Sequence, residues 1–425
     1  MSNLTHILIA ATLLTAAGSA SGAQPPDVVQ SDSFDNTAMG SDALLSVTPS
    51  IGSGTDNTAA GFNALKFNTT GFFNTAVGSD SLFENSTGSS NTAIGFVAMQ
   101  WNSVGYNNTA AGAFALTNNL SGHENVAVGT EALSANEDGA RNTGIGASAL
   151  WNSSSATDNT GVGYQVLYRN FGNNNTATGS GALYSNTNGA SNTGDGLNSL
   201  YANTTGYHNS AVGATSMLAN SSGFSNSSLG FAALGANTTG SENIAVGAYA
   251  GYLVTTGSNN IHIGSRGMAG DNAHIRIGTP GTHSATYIAG ISGTHVTGAP
   301  VYVTSSGQLG VLASSERYKT GIAAMSGSTE KLQQLRPVTF HLKTDPRGPV
   351  QYGLIAEEVA RVYPELVIRN DAGRIEGVRY DELAPMLLNE LQQEHQRLES
   401  VQGQLADLTA RLAELERVKA QRGSR

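Results

Sequence analysis

The chain has no cysteine. If exported, it must hold together without disulfides, by burial and subunit assembly. Basic side chains are scarce through the first 300 residues, where only Lys66, Arg141, Arg169, Arg266 and Arg276 occur, and the net charge of the whole is -10. Phosphate binding needs a basic face, so nucleic acid is set aside as a partner. Long apolar runs are missing beyond the N-terminus, and no later stretch would span a bilayer. Paired carboxylates are missing from the middle of the chain as well. Asp195 and Glu124 stand isolated, which gives no glycosidase arrangement. No cofactor motif is evident.

What is present divides into two regimes. Most of the 52 glycines precede residue 315 or so and most of the charge follows it, and the length of 425 residues suits two or three domains. The N-terminus, MSNLTHILIAATLLTAAGSASGAQPP, has an apolar run from Ile7 to Ala17, with Ser21 and Ala23 placed for a cut after Ala23. It reads as a secretory leader over residues 1–23, although only His6 precedes the run as a basic group. The expected location is secreted or at the cell surface.

Asn-Thr-Ala-x-Gly or a close variant begins at Asn36, Asn57, Asn74 and Asn91, and continues to Asn260 in steps of 17 apart from a first step of 21 and one of 16 after Asn159. Eight residues after the Asn comes an apolar residue, as at Leu65, Leu82, Met99 and Leu133, until Gly251 takes the slot. A fixed step means a solenoid. Ordering one coil costs about 1–2 kcal/mol per residue in backbone entropy, and one buried Leu returns only about 1.5–3 kcal/mol. A lone coil cannot stand, whereas stacked coils share backbone pairing and a continuous core. A disordered Gly/Asn/Ser tract would not keep an apolar residue in phase. Each unit is expected to offer two extended pieces, such as Asn74–Gly78 and Ser81-Leu82, with a polar turn such as Asn68–Gly71. The Asn column is expected to form a side-chain ladder. Sequons such as Asn68, Asn203 and Asn237 follow from the repeat itself.

Over residues 36–264 the repeats resemble the left-handed parallel β-roll heads of trimeric autotransporter adhesins, in which shorter repeats are common. The resemblance implies a homotrimer. The outer-membrane barrel of that family has no counterpart in this sequence, so the mode of surface attachment stays open. Exposed aromatics on the turns, Phe72, Trp101, Tyr106, Trp151 and Tyr207, are candidates for a cell-surface or glycan ligand, and equally for packing on neighbouring coils.

Residues 265–313 read as a β-rich connector, with strand signals at His274–Gly278, Tyr287–Gly290, Val301–Val303 and Gly307–Gly310. The histidines His262, His274, His283 and His295 lack the spacing and the carboxylate or cysteine company of metal ligands, so no metal is expected. From Ser328 the pattern is that of a small α+β unit: a short helix over Thr329–Leu335, a strand over Val338–Leu342, a helix over Ala356–Val362 ended by Pro364, and two strands around the turn Asn370–Gly373. Residues 381–418 read as one long helix. From Leu398 its apolar residues step 3, 4, 3, 4, 3 through Val401, Leu405, Leu408, Leu412 and Leu415, the a/d alternation of a coiled coil, without choosing three strands over two.

Ser314-Ser-Glu-Arg-Tyr-Lys319, Leu335–Phe340, Tyr352–Val359, Tyr363–Val367, Val378–Asp381 and the terminal coiled coil, taken in order, resemble the intramolecular chaperone domain of phage endosialidase tailspikes. The resemblance covers roughly residues 312–415. It implies a trimeric C-terminal chaperone over residues 314–380 that assembles the β-structure upstream and then cuts itself off as a single-turnover serine peptidase with a serine–lysine dyad. The serine falls on Ser314 and the lysine on Lys319, with Arg317 and Glu316 in support. Many members carry an acid directly after the serine; here that position is Ser315.

A serine hydroxyl is a poor nucleophile until a base takes its proton, and a lysine serves as base only when burial or a nearby cation lowers its affinity for one. Without the resemblance, the same residues read as a solvated turn. Three functions follow: an exported trimeric fibre or adhesin whose tail is released, the same fibre with the tail kept as a clamp, and a phage-type tail fibre, against which the leader argues. Overall the fold class is mainly β, a β-solenoid of 17-residue repeats followed by a small α+β domain and a trimeric coiled coil.

Overall fold

The computed structural model describes residues 30–423 except Ile51, residues 290–299, Ser305 and Asp371. The expected leader lies outside the described residues, and so does His295. The chain forms two compact units, residues 1–287 and 288–425.

The first unit is a parallel β-solenoid. Its 16-stranded sheet runs in sequence order, so every coil adds one strand beside the last. Only the first pair is antiparallel, Gln30–Ser31 lying against Thr37–Ala38. From there each strand pairs in parallel and in identical register with the next, as Thr92, Ala93 and Ile94 do with Thr109, Ala110 and Ala111. From Thr37–Met39 to Ile244–Val246 the middle residue of each strand points inward and is Ala, Gly or Ser. Ala76, Ala93, Ala110 and Ala127 are fully buried there, beside Leu82, Met99, Leu116 and Leu133 from the slot eight after the Asn. Each buried Leu contributes about 1.5–3 kcal/mol, and the column runs without a break into one core.

The second piece expected to be extended, Ser81-Leu82, is instead a turn. Leu82 has φ +49, and the equivalent leucines of other coils sit at nearly the same angle. A left-handed leucine costs about 1–2 kcal/mol. The inter-coil bond from Leu82 N–H to the Ala98 carbonyl, 2.9 Å, and the burial of the side chain offset that cost.

The Asn ladder forms, and there are two of them. In the first, Asn91 donates from its backbone N–H and from Nδ2 to Asn74 Oδ1, at 3.1 and 3.2 Å, and Nδ2 also donates to the Gly105 carbonyl at 2.8 Å. In the second, Asn85 Nδ2 donates to Asn68 Oδ1 at 2.7 Å and to the Gly88 carbonyl at 2.8 Å. Asn68, in the stretch Asn68–Gly71 read as a polar turn, is therefore a buried rung.

The two ends of the first ladder are closed. Asp32 accepts from Asn36 N and Nδ2 at 3.1 and 2.9 Å. Burial works against its charge, but the hydrogen bonds from Asn36 and Phe34 outweigh it and hold the carboxyl below the usual range. At the other end His274 N donates to Asn260 Oδ1 at 2.9 Å. The second ladder stops at Asn237, whose buried Oδ1 has no partner, because Val254 occupies the slot where another Asn would stand. The sheet continues through Ile261–Ile263 and Ile275–Ile277 in parallel register, so His274–Gly278, read as connector, is a further rung of the solenoid.

In the second unit Tyr302–Val303 pairs antiparallel with Leu309–Gly310. The α+β part has two short antiparallel pairs, Val338–Phe340 with Gln351–Gly353 and Val367–Arg369 with Ile375–Val378. Helix α1 (Ala356–Val362) precedes Pro364, and helix α2 spans Tyr380–Gly423. The expected helix over Thr329–Leu335 is two 3-10 turns, Ser326–Thr329 and Leu332–Gln334. A small core of Leu332, Val359, Tyr363, Leu366, Val367 and Val378 joins these pieces, with Leu383 and Met386 of α2 packed against it. Beyond that contact the seam of α2 is bare: Leu398, Val401, Leu405, Leu408, Leu412 and Leu415 are 53–66% exposed. No helix among the described residues is long and apolar enough to cross a membrane.

Candidate functional site

Ser314 and Lys319 are brought together by a tight reversal. Residues Glu316–Tyr318 form one 3-10 turn, with Tyr318 N–H donating to the Ser315 carbonyl at 3.0 Å and Lys319 N–H to the Glu316 carbonyl at 2.9 Å. A 3-10 turn closes three residues apart, and this shortens the path between the residues on either side. Lys319 Nζ then lies 3.4 Å from Ser314 Oγ, donating to it.

The two supporting residues are placed differently. Arg317 lies with its guanidinium over the Tyr318 ring, 4.8 Å from the centroid, a cation–π contact. Glu316 contributes its carbonyl to the turn. In the single chain all of Ser314, Glu316, Arg317 and Lys319 are exposed. The pair has hydrogen-bond reach and lies open to solvent in the single chain.

The rest of the unit ties α2 to the segment just beyond this turn. Asn389 Nδ2 donates to Thr329 Oγ1 at 2.6 Å and to the Ser326 carbonyl at 2.9 Å. Thr329 Oγ1 donates to Glu390 Oε2 at 3.0 Å, and Gln393 bonds the Ser326 carbonyl too. Tyr380 Oη accepts from Leu354 N–H at 2.8 Å. Arg336 grips Glu358 with two bonds, 2.6 and 3.2 Å.

A second polar cluster sits at the end of the solenoid, and the spacing of the sequence did not reveal it. His262 occupies the inward slot that Ala, Gly or Ser fills in the preceding coils and is fully buried. Its Nε2 lies 3.0 Å from Asp271 Oδ2. Arg276 donates to both Asp271 oxygens at 2.6 Å, and His274 Nδ1 is 3.8 Å from Oδ1. The Arg276 guanidinium, with help from His262 and the Met268 N–H, holds the Asp271 carboxyl far below the usual range. His283 is apart from this group, accepting from Thr279 N–H at 2.9 Å. So His262 and His274 do have a carboxylate for company, and Arg276 takes both of its oxygens. Among the described residues no three His, Asp or Glu groups are arranged to hold a metal. The one cue in the sequence was a histidine in a column of small residues.

The aromatic candidates pack on neighbouring rings. Trp151, Tyr168, Tyr184 and Tyr201 form one stack across four coils, with centroids 5.0–5.1 Å apart and planes within 11°. Tyr106 stacks on His123 and Tyr207 on Phe224. Phe72 meets Phe73 edge to face. Phe72, Trp101, Tyr106 and Tyr207 all remain exposed.

No curated protein matches the chain. A parallel β-solenoid is followed by a segment, residues 314–368, that matches the family model described as chaperone of endosialidase, and the match opens on Ser314 itself.

Proposed function

We propose that the protein is an exported homotrimeric fibre or adhesin-like surface protein whose C-terminal chaperone segment drives trimerisation and folding and is then released by autoproteolysis at Ser314. The observation that carries this reading is the 3.4 Å approach of Lys319 Nζ to Ser314 Oγ at the first residue of the matched segment. A β-solenoid before such a segment is a tail-fibre-like arrangement, which supports an extracellular role.

In the proposed step Lys319, unprotonated, takes the Ser314 hydroxyl proton as Oγ adds to the Ala313 carbonyl carbon. The Ala313–Ser314 C–N bond breaks, the nitrogen receives the proton, and an ester joins Ala313 to Ser314 Oγ. Water then hydrolyses the ester, leaving an Ala313 carboxylate and a free Ser314 hydroxyl and amine. Neighbouring chains of the assembled trimer supply the burial that the single chain lacks, so the tail is cut only after it has done its folding work.

A second reading keeps the tail as a permanent clamp. The exposure of the Ser314–Lys319 pair and the hydrogen bonds anchoring α2 favour it. Intact mass of the protein expressed without residues 1–23, beside Ser314→Ala and Lys319→Ala, separates the two. Two wild-type pieces meeting at Ala313–Ser314, with both variants whole, support release. Pieces meeting at Ser314–Ser315 move the cut by one bond. Three intact trimers leave the clamp.

A further inference from the structure

Three tyrosines follow one another in a single column of the solenoid: Tyr168, Tyr184 and Tyr201, each nine residues after the Asn that opens its coil. Their rings stack with centroids 5.0 Å apart at both steps and planes 5° and 11° apart. Trp151 lengthens the stack by one ring, at 5.1 Å and 9°. Packing does not require an aromatic ring in this column, since Gln100, Thr117 and Ser134 fill it in earlier coils. Nor is the stack sealed from solvent, because Tyr201 is exposed and Trp151, Tyr168 and Tyr184 are half-buried.

The stack also lies where the second Asn ladder is interrupted. Ser153 stands in the slot of an Asn and reaches Asn136 Oδ1 at 3.3 Å. Asn170 Nδ2 donates to the Gly172 carbonyl at 2.8 Å instead of to the rung before it, and the ladder resumes with Asn186 Nδ2 on Asn170 Oδ1 at 2.7 Å. The coil that Asn159 opens is the one shortened to 16 residues.

We propose that the Tyr168, Tyr184 and Tyr201 column is a site of oxidative cross-linking, at which a peroxidase using hydrogen peroxide joins tyrosines of consecutive coils as dityrosine. This goes beyond the reading above and draws on it only for the extracellular location, where such an oxidant is met. In the step, two neighbouring phenols each lose one electron and one proton. The two phenoxyl radicals combine at the ring carbons ortho to their oxygens, forming a C–C bond, and each ortho hydrogen moves as a proton to its own oxygen, which restores both phenols. The two electrons and two protons given up reduce one hydrogen peroxide to two waters. Nearly parallel rings are related by little more than a translation, so each ortho carbon faces its counterpart and the rings need only turn toward each other. With no cysteine in the chain, no thiol quenches the radicals and no disulfide can tie coil to coil. A bond from Tyr168 to Tyr184 supplies that tie beside the interrupted ladder and constrains the unfolded chain as a disulfide would.

The full chain, native and urea-denatured, is treated with a peroxidase and hydrogen peroxide, then denatured and digested with trypsin. Cleavage after Arg169 leaves Tyr168 in peptide 142–169 and Tyr184 in peptide 170–266, so the bond is read by mass as these two peptides joined with the loss of two hydrogens. The joined pair is expected from chains that still migrate singly on a denaturing gel. It should form on the order of tenfold faster in the native protein, where stacking raises the effective concentration of one phenol at the other. Tyr184→Phe, which keeps a ring in the stack, should abolish it, and Tyr164→Phe, at an exposed tyrosine outside the stack, should not. The cross-linked protein should unfold at higher urea than the untreated one. Equal rates in native and denatured protein, links found mainly at the exposed Tyr287 and Tyr352, or no joined pair overturn the site. The fibre reading is judged separately, by the pieces meeting at Ala313–Ser314, and stands or falls without it.

Discussion

Asn108 Oδ1 accepts two hydrogen bonds from Asn125, one from its backbone N–H at 3.0 Å and one from Nδ2 at 3.1 Å. One side chain thus fixes the spacing of two coils and satisfies both lone pairs of a buried oxygen. Asn125→Ala would strand the Asn142 N–H, which donates to Asn125 Oδ1, and would leave Asn108 Oδ1 with only the backbone bond and the Gly139 carbonyl with only its bond from Asn136. An unsatisfied buried group costs about 1–3 kcal/mol, so a loss of about 1–3 kcal/mol is expected, read from the urea midpoint at fixed protein concentration. Asn118→Ala, at a half-buried turn position, should cost no more than about 1 kcal/mol.

Gly105 is closed in by both the ladder and the next coil. A Cβ there would lie 2.5 Å from Asn119 Nδ2 and 2.5 Å from the Gly122 carbonyl oxygen, and would strike Asn102 Oδ1 as well. Gly105→Ala is expected to lower the thermal midpoint by several degrees or to prevent folding, because backbone and ladder must both shift. Gly310→Ala, with nothing within 4 Å of its Cβ, should leave the midpoint unchanged to within about a degree, corresponding to a surface effect below about 0.5 kcal/mol.

Asp271 gives the solenoid end an acid-sensitive closure. Its folded-state value lies below the unfolded value of about 3.9. The carboxylate therefore stabilises the folded form fully above that pH, and the contribution is lost as pH falls through the folded value. Amides of Ile261–Ile263 and Ile275–Ile277 should lose hydrogen-exchange protection below about pH 4 before the central coils do. Asp271→Asn should make that loss permanent at neutral pH. With Arg276 a third exposed, about 1–3 kcal/mol is expected, less than for a fully buried pair.

Leu405 and Leu412 are 63% and 58% exposed on α2. Leu405→Asp should leave the small core around Val359 and Tyr363 intact and reduce the assembled protein to monomers, as measured by sedimentation. If burial in the assembly arms Lys319, the same variant should stop cleavage without touching Ser314. Cleavage that continued at the wild-type rate in monomers would show that the single chain arms its own lysine.

Much of the molecule was legible because periodicity is a one-dimensional signal. The step of 17 gave the coil, the Leu in phase gave the core, and the Asn column gave the first ladder. The second ladder went unread because Asn68-Thr-Thr-Gly71 has the composition of any turn, and only stacking brings Asn68 under Asn85. Leu82 was read as extended because its left-handed backbone is imposed by the next coil's carbonyl and by no local preference. Asp271 had no regular spacing from His262 to betray it. Ser314 and Lys319 were named from their motif, and their approach depends on one 3-10 turn that a five-residue separation alone does not require.

The sequence by itself determined that coils of fixed length would stack, since no single coil can offset its own entropy and every coil carries the same apolar and amide groups. It also determined that the tail would be a long helix with an apolar seam. Tertiary structure decided which polar groups lie buried and what satisfies them: a carboxylate at the first rung, an amide at each following one, and an Arg–Asp–His group at the last. Those choices depend on what lies one coil away, at a distance of about 4.8 Å in space and 17 residues in sequence.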